Sequence, residues 1–352
     1  MSPHDGGTAA LSFPHDAPPA PAALIEVAPG VRWLRMPLPF ALDHINLWLL
    51  DEGDGWTIVD SGLNTAETQE LWRRIFAGGL DGKPVKRLIV THFHPDHMGL
   101  AGWLTETLKV PLWCTETEWL FARMLSLDTT EAFVANSAAF YARTGIDPDL
   151  QRSLASRGNA YRSRVTPIPS AFHRLGDGQR FQIGRREWRV VVGRGHAPEH
   201  ACLYCAELDL LIAGDQVLPK ISPNVSLWPQ EPEADPLALY LASLEKIRRE
   251  VPETALVLPS HGLPFRGLYR RIEQLQQHHD ARLAELEAAC AEPCTAAEIV
   301  PILFRRALDA HQVGFAVGEA LSHLHYLMSK ERLVRSERSD GVYLYRCNKG
   351  DS

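Results

Sequence analysis

The segment from Thr91 to His97, THFHPDH, places four potential metal ligands within seven residues. Three further donors follow in short motifs: His196 in GRGHAPEH, Asp215 in AGDQ and His261 in PSHG. Imidazole nitrogens and carboxylate oxygens bind divalent transition ions at roughly 2.0–2.2 Å, and a catalytic site keeps one position open for water. A fold that uses these residues together must bring four separate segments to one point.

The donors divide into two sets. The first set is His92, His94 and His196, and the second is Asp96, His97 and His261, with Asp215 between them. Two ions about 3.5–4 Å apart hold a hydroxide and polarise the attacked oxygen. We therefore predict two divalent ions, zinc being the expected metal, and Asp96 as the residue that orients the hydroxide and transfers a proton.

Each donor segment follows a short stretch rich in apolar and β-branched residues, which predicts a buried strand. The stretches are 86–90, 189–192, 210–213 and 255–258, and Asp60 follows a fifth at 56–59. Ligands on loops at strand ends are typical of a rigid scaffold that holds a site. Isolated histidines away from these motifs are instead predicted to be solvated. They are His4, His15, His173, His278 and His279.

The ordered motifs THFHPDH, GRGHAPEH, AGDQ and PSHG resemble those of the metallo-β-lactamase superfamily of hydrolases, and IVDSG at 58–62 resembles its first motif. The resemblance covers about residues 25–265. It implies an α/β fold, a four-layer αβ/βα sandwich, with the metals where the two sheets meet. It also implies one metal at His92, His94 and His196, the other at Asp96, His97 and His261, and Asp215 at both. Asp60 would orient the ligand loop by hydrogen bonds, and His200 is expected beside the site.

The region after the hydrolase domain is predicted to contain a linker helix at 266–295 and a separate domain at 296–352. Two helix-like stretches, 297–310 and 317–330, precede a hairpin-like end, a pattern that resembles the winged-helix domain of one branch of the superfamily. That branch includes thioesterases acting on acyl carriers and some ribonucleases. The chain has 36 Lys and Arg against 43 Asp and Glu, a net charge of -7. Without a basic footprint, packing or homodimerisation is favoured over nucleic-acid binding.

The first two dozen residues, 1–24, lack the basic start and apolar centre of a signal peptide and are predicted to be a flexible tail of a cytoplasmic protein. No apolar stretch reaches membrane-spanning length. The six cysteines do not recur at the spacing of a four-cysteine zinc site, so reduced structural thiols are expected.

A helical insert at about 116–165 carries apolar and aromatic residues at helical intervals, including Phe133 and Phe140. Two interpretations stay open: these residues pack into the core, or the insert covers the metals as a lid with an apolar wall. The loop at 218–228 likewise has two interpretations. Its polar side chains contact substrate or form turns, and they are Lys220, Ser222, Asn224 and Ser226.

The predicted function is dinuclear metal-dependent hydrolysis of a thioester or ester, with acyl-CoA or acyl-carrier substrates favoured. The alternatives are a ribonuclease and a hydrolase of glutathione thioesters or lactones. A further alternative of another class is a metal-containing binding module or regulator that uses the C-terminal domain. Imidazole ligands suit zinc and iron alike, so an iron redox protein is also an alternative.

Overall fold

A computed structural model describes residues 10–78, 80–156, 159–305, 308 and 310–348. Its first sheet has seven strands, whose spatial order follows their order in the chain. They are β1 Ile25–Ala28, β2 Val31–Pro37, β3 His44–Asp51, β4 Trp56–Val59, β5 Val85–Ile89, β6 Leu112–Thr115 and β7 His173–Leu175. The strands β1 to β4 are antiparallel and β4 to β7 are parallel.

The second sheet has five strands in the order β12-β11-β10-β9-β8. They are β8 Arg180–Ile183, β9 Arg186–Gly193, β10 His200–Cys205, β11 Leu210–Gly214 and β12 Leu256–Pro259. The helices before β8 are α1 Ala66–Gly78, α2 Pro95–Met98, α3 Ala101–Leu108, α4 Glu116–Leu127, α5 Glu131–Ala142 and α6 Pro148–Ser156. Later come α7 Pro236–Glu250, α8 Leu268–Ala289, α9 Ala296–Leu303 and α10 Ala310–Ser329, then a hairpin of β13 Leu333–Glu337 and β14 Tyr343–Cys347.

Three apolar cores separate four layers. Between the sheets, Trp33 and Trp48 of the first sheet belong to the same buried cluster as Trp188 of the second. A second core joins the outer face of the first sheet to α1 and α3, and a third joins the second sheet to α7 and α8. Strands that pack on both faces must be apolar on both faces, which explains the continuous burial of β4, β10 and β11. The arrangement confirms the predicted αβ/βα sandwich.

The strands that we predicted before the donor segments are all present. The predicted stretch 56–59 coincides with β4, and the other four correspond to β5, β9, β11 and β12. In the insert, α4 to α6 occupy most of 116–165. In the C-terminal region two helices are followed by a hairpin, which is the predicted order of elements. The assignment of this region to the winged-helix fold stays a prediction.

The C-terminal region packs directly against the hydrolase domain. Buried residues of α10 and β14 share one apolar cluster with α7 and the second sheet. The backbone N–H groups of Ala297 and Tyr343 donate to the oxygens of Thr144 and Arg143 at 2.9 Å each. The segment that follows α5 in the insert is therefore hydrogen-bonded to the C-terminal region.

Part of the predicted flexible tail is also packed on the domain. Ser12 pairs with Arg266 through two backbone hydrogen bonds of 3.2 and 2.9 Å, and the Phe13 ring lies 6.4 Å from that of Phe265. The apolar Leu11 packs against the core beside them. Residues 1–9 of the predicted tail lie outside the described residues, as does His4.

The six cysteines are free thiols. Cys202 and Cys205 lie in β10, as their sequence context predicted. The sulfur atoms of Cys290 and Cys294 are 3.4 Å apart at the junction of α8 and α9. Within the described parts of the chain, no helix combines the length and the apolar character needed to span a bilayer.

Two histidines lie buried side by side between α8 and α10. Nδ1 of His279 is 3.1 Å from Nε2 of His323, and Nδ1 of His323 donates to the backbone oxygen of Glu319 at 2.8 Å. Burial lowers the pKa of His279 to about 2 and that of His323 to about 4. The prediction that His279 is solvated was wrong, because α8 is covered by α10 on this face.

This pair predicts acid-sensitive stability. Below pH 6.5 the unfolded chain binds protons that the folded pair does not, so the free energy of unfolding falls as the pH drops, by about 2 kcal/mol per histidine at pH 5. We expect the free energy of unfolding, measured with urea, to fall less between pH 7.5 and pH 5.0 in the double variant His279→Leu with His323→Leu than in the wild-type protein. In the exposed control His173→Gln it should fall by the same amount as in the wild-type protein. A double variant whose free energy of unfolding falls as much as that of the wild-type protein would contradict the assignment.

Candidate metal centre

The donor loops lie together where β5, β9, β11 and β12 end. Thr91 to His94 continue directly from β5, and Pro95 then begins the short helix α2. Proline suits this first helical position, because its fixed φ is already helical and its missing N–H needs no partner. The helical turn carries Asp96 and His97, so one local sequence presents all four of its donors.

The first set of donors forms a compact triangle of nitrogens. Nε2 of His92 is 2.9 Å from Nδ1 of His94 and 3.2 Å from Nε2 of His196, and the latter two atoms are 3.1 Å apart. Nitrogens bound tetrahedrally to one ion at about 2.05 Å stand about 3.3 Å apart. The triangle therefore fits a single transition ion.

The second set lies beside the first, and Asp215 stands between them. Oδ1 of Asp215 is 3.5 Å from Nε2 of His97 and 3.3 Å from Nε2 of His261, while its Oδ2 is 3.4 Å from Nε2 of His196. Oδ2 of Asp96 is 3.5 Å from Nε2 of His261. Each oxygen of Asp215 thus faces a different set, as a bridging carboxylate requires. The sequence-predicted donors, called the donor cluster below, all converge here.

The charges of the site suit a cation. Burial lowers the pKa of His92 and His94 well below the usual value, so both imidazoles are neutral, which is the form that can bind a metal. At His97 burial opposes protonation, but Asp60, Asp96 and Asp215 outweigh it and raise its pKa well above the usual value. Nε2 of His97 and Oδ1 of Asp215 are buried without hydrogen bonds. A bound cation would satisfy both atoms, and its binding would release protons.

Asp60 holds the first donor loop in place, as the resemblance implied. Its Oδ1 accepts from the backbone N–H of Thr91 at 2.7 Å, and its Oδ2 accepts from Nδ1 of His97 at 2.8 Å. The second bond leaves Nε2 of His97 as the free ligand nitrogen. Asp60 has a left-handed backbone with φ of 65°.

His200 supports the bridging residue. Its Nε2 accepts from the backbone N–H of Asp215 at 3.1 Å. Burial lowers the pKa of His200 to about 3, so its ring is neutral and can accept. Gly214 permits this approach, because a Cβ there would lie 2.3 Å from Nε2 of His200.

Sequence reasoning missed Glu118, whose carboxyl group joins two donor loops. It accepts from the backbone N–H of Phe93 at 2.8 Å and from that of Glu199 at 2.6 Å. Burial raises its pKa to about 8, against the effect of these two bonds. Tyr161 donates to the oxygen of Phe93 at 2.6 Å, so both polar groups of that residue are held. The available signal was an acid within the apolar face of α4.

His44 was also missed, and it supports the loop of His261. Its backbone oxygen accepts from Nδ1 of His261 at 2.7 Å, and its Nε2 accepts from the N–H of Gly262 at 2.9 Å. Nδ1 of His44 lies 2.6 Å from Oδ1 of Asp43. The first residue of β3 thereby orients a donor more than two hundred residues away.

A cavity of about 600 Å³ opens above the donor cluster, and we call it the donor pocket. Five donors lie in its wall: His94, Asp96, His196, Asp215 and His261. The other lining residues are mainly apolar: Leu38, Pro39, Phe40, Ala41, Leu42, Leu63, Pro95, Leu218, Ile221, Pro223, Phe304, Leu308, Phe315 and Ala316. The polar ones are Arg164, Ser222, Asn224 and Gln312.

This lining decides between the two interpretations of the insert. Phe133 and Phe140 pack into the cores rather than into the donor pocket, so the interpretation of α4 and α5 as an apolar lid was wrong. Among the described insert residues, Arg164 is the one that lines the pocket. In the loop at 218–228, Ser222 and Asn224 line the pocket, whereas Ser226 is buried.

The comparisons with known proteins agree with this geometry. The protein-family model of the metallo-beta-lactamase superfamily matches residues 41–261 of the sequence. The family model of the metallo-beta-lactamase-like C-terminal domain matches residues 283–348. A solved beta-lactamase domain protein from Burkholderia ambifaria is 50% identical, with a TM-score of 0.88, over 96% of this chain and 98% of that chain.

Two further relatives cover most of the chain. A solved metallo-beta-lactamase family protein from Thermus thermophilus is 31% identical, with a TM-score of 0.77, over 92% of this chain and 100% of that chain. The probable metallo-hydrolase YqjP of Bacillus subtilis (strain 168) is 25% identical over 88% of this chain and 96% of its own length. The chain therefore belongs to the metallo-beta-lactamase superfamily and is a metallo-hydrolase with a C-terminal domain of the metallo-beta-lactamase-like type.

Proposed function

We propose that the chain is a dinuclear hydrolase of thioesters or esters that carry an apolar acyl group. One observation carries the proposal: five residues of the donor cluster line a pocket whose remaining lining is mainly apolar. Ligand sites of this kind combine apolar walls with a few polar groups that fix orientation. A carbonyl placed at the donors would leave its acyl chain against the apolar walls.

The proposed metal ligands follow from the donor positions. His92, His94 and His196 would hold one ion, Asp96, His97 and His261 the other, and Asp215 both. Zinc is the proposed metal, because imidazole and carboxylate donors at these spacings suit it. Bound in this way, the ions would supply a hydroxide at neutral pH and polarise the carbonyl oxygen.

The protein side chains position and transfer protons. Asp96 is more accessible than Asp215, with 20% of its side chain exposed against 9%. Because it also lines the donor pocket, we propose that its carboxylate orients the attacking oxygen and carries a proton to the leaving thiol or alcohol. Asp60 and Glu118 keep the donor loops in register for this step.

Metal analysis combined with a substrate panel tests the function. We expect about two zinc ions per chain, and turnover of acyl-CoA thioesters or simple esters that a chelator abolishes and added zinc restores. The same panel contains a glutathione thioester, a lactone and a short RNA. If only the glutathione thioester, the lactone or the RNA is turned over in a metal-dependent reaction, that compound class is the substrate and the proposed one is wrong. Salt-dependent RNA binding without any turnover would favour a binding module instead.

A further inference from the structure

The C-terminal domain forms one wall of the donor pocket. Gln312, Phe315 and Ala316 of α10 line it, at the i, i+3 and i+4 positions of one helical face. Phe304 and Leu308, which precede α10, continue the same wall. A domain that was expected to serve packing or homodimerisation rather than nucleic-acid binding therefore contributes directly to the site.

The loop between β2 and β3, residues 38–42, forms another part of the lining of the donor pocket. Phe40 in this loop is 41% exposed, and Ile221 in the pocket lining is 47% exposed. Large apolar side chains exposed around a cavity indicate a binding site, because an apolar ligand would remove them from water. The donor pocket, lined by both Phe40 and the α10 wall, is thus suited to an apolar chain.

Close packing fixes α10 against the loop at 218–228. The hydroxyl of Ser226 donates to the oxygen of Phe315 at 3.3 Å, and the N–H of Leu227 donates to the oxygen of Gly318 at 2.9 Å. A Cβ at Gly318 would lie 2.8 Å from Cβ of Ser226, so glycine permits this approach. The Trp228 ring lies 6.0 Å from that of Phe315. These contacts hold the α10 wall in one position against the loop.

The same loop connects the wall to the donors. Nδ1 of His196 donates to the backbone oxygen of Asn224 at 2.7 Å, and the Asn224 amide donates to Oε2 of Glu319 on α10 at 3.3 Å. The Trp228 ring is also 6.4 Å from the ring of His94. The loop at 218–228 thus contacts both the donors and α10, which sets the position of the α10 wall relative to the donor cluster.

We propose that the α10 wall selects substrates by acyl-chain length, and that the substrates are medium-chain acyl thioesters or esters rather than acetyl compounds. This inference rests on the proposed function. The acyl chain lies between Phe40 and Phe315, and the carbonyl lies at the donor cluster. Discrimination comes from apolar area buried against Phe315, Phe304 and Leu308, at roughly fourfold in kcat/KM per buried methylene.

The test compares Phe315→Ala with a matched control, Phe133→Ala, which removes a partly buried ring of the insert outside the pocket. For acetyl, butyryl, hexanoyl and octanoyl thioesters, the original protein should favour the longer chains. In Phe315→Ala the octanoyl to acetyl ratio of kcat/KM should fall about 10- to 100-fold. Phe133→Ala should keep the original ratio. Equal effects of the two substitutions, or an unchanged ratio in Phe315→Ala, would overturn the assignment.

A second variant and a binding measurement keep the test independent of folding and of the reaction. Gln312→Trp should fill the pocket and shift the preference toward shorter chains. Alkyl hydroxamates of increasing length, measured by calorimetry with the zinc-loaded protein, should bind roughly fourfold more tightly per methylene. Phe315→Ala should reduce this increment. If hydroxamate affinity rises with each methylene but no thioester or ester is hydrolysed, the proposed function is wrong and the role of the α10 wall is supported. If thioesters or esters are hydrolysed but Phe315→Ala leaves the gain in affinity per methylene unchanged, only the role of the α10 wall is refuted.

Discussion

Replacing Asp215 with Asn is expected to reduce kcat/KM by about a thousandfold or more and to lower the bound zinc below two ions per chain. Oδ1 of Asp215 faces His97 and His261, and Oδ2 faces His196, so both oxygens are needed as donors. An asparagine offers one oxygen and one NH2 group, which cannot bind a cation. The substitution also removes a negative charge from between two proposed cations.

The measurement pairs elemental analysis of the purified variant with steady-state kinetics at saturating zinc. Asp280→Asn, on the exposed side of α8, is the charge-matched control and should retain both zinc content and kcat/KM. Circular dichroism and a thermal melt establish that the variant is folded. A folded Asp215→Asn variant with two zinc ions and near-original turnover would refute the bridging role.

Replacing Asp60 with Asn is expected to weaken zinc binding by about 10- to 100-fold. Asparagine tolerates the left-handed backbone of this position, so the change tests the carboxylate rather than the φ angle. The variant can still accept from the N–H of Thr91. In place of the other oxygen, however, an NH2 group would face Nδ1–H of His97. Two hydrogen-bond donors would then oppose each other where Oδ2 of Asp60 and Nδ1 of His97 are 2.8 Å apart in the wild-type protein. The imidazole would lose the bond that keeps Nε2 directed at the donor cluster.

Competition with a chromophoric chelator measures this affinity, and activity should recover when zinc is added in excess. Asp81→Asn is the matched control, because Asp81 also has a left-handed backbone, with φ of 53°, but its side chain is about half exposed and pairs with Arg32. That control should bind zinc as the original protein does. Unchanged affinity in Asp60→Asn would show that the hydrogen bond to His97 does not tune the site.

Much of the site could be predicted because its determinants are local. The motif from Thr91 to His97 carries four donors within one loop and one helical turn, and the strand before each donor segment has its own apolar pattern. The known motif order then implied which donors share an ion. The structure brings those side chains together and has Asp215 between them, as the sequence predicted, with one oxygen toward each set.

The supporting residues could not be predicted in the same way. Glu118 contacts Phe93 and Glu199, which are 25 and 81 residues away in the chain. His44 supports His261 across 217 residues. A buried acid or histidine has no local pattern that names its partner, so its role depends on how the layers pack.

The sequence by itself determined the donor types, their order and the strands that precede them, because hydrophobic periodicity and ligand chemistry are properties of short segments. Only the tertiary structure decided that α10, rather than the helical insert, forms an apolar wall of the donor pocket. The insert and α10 are both helical and partly apolar, so neither pattern indicates which one lies at the site. The choice is made by long-range contacts, such as that of Leu227 with Gly318, which fix one helix over the donors.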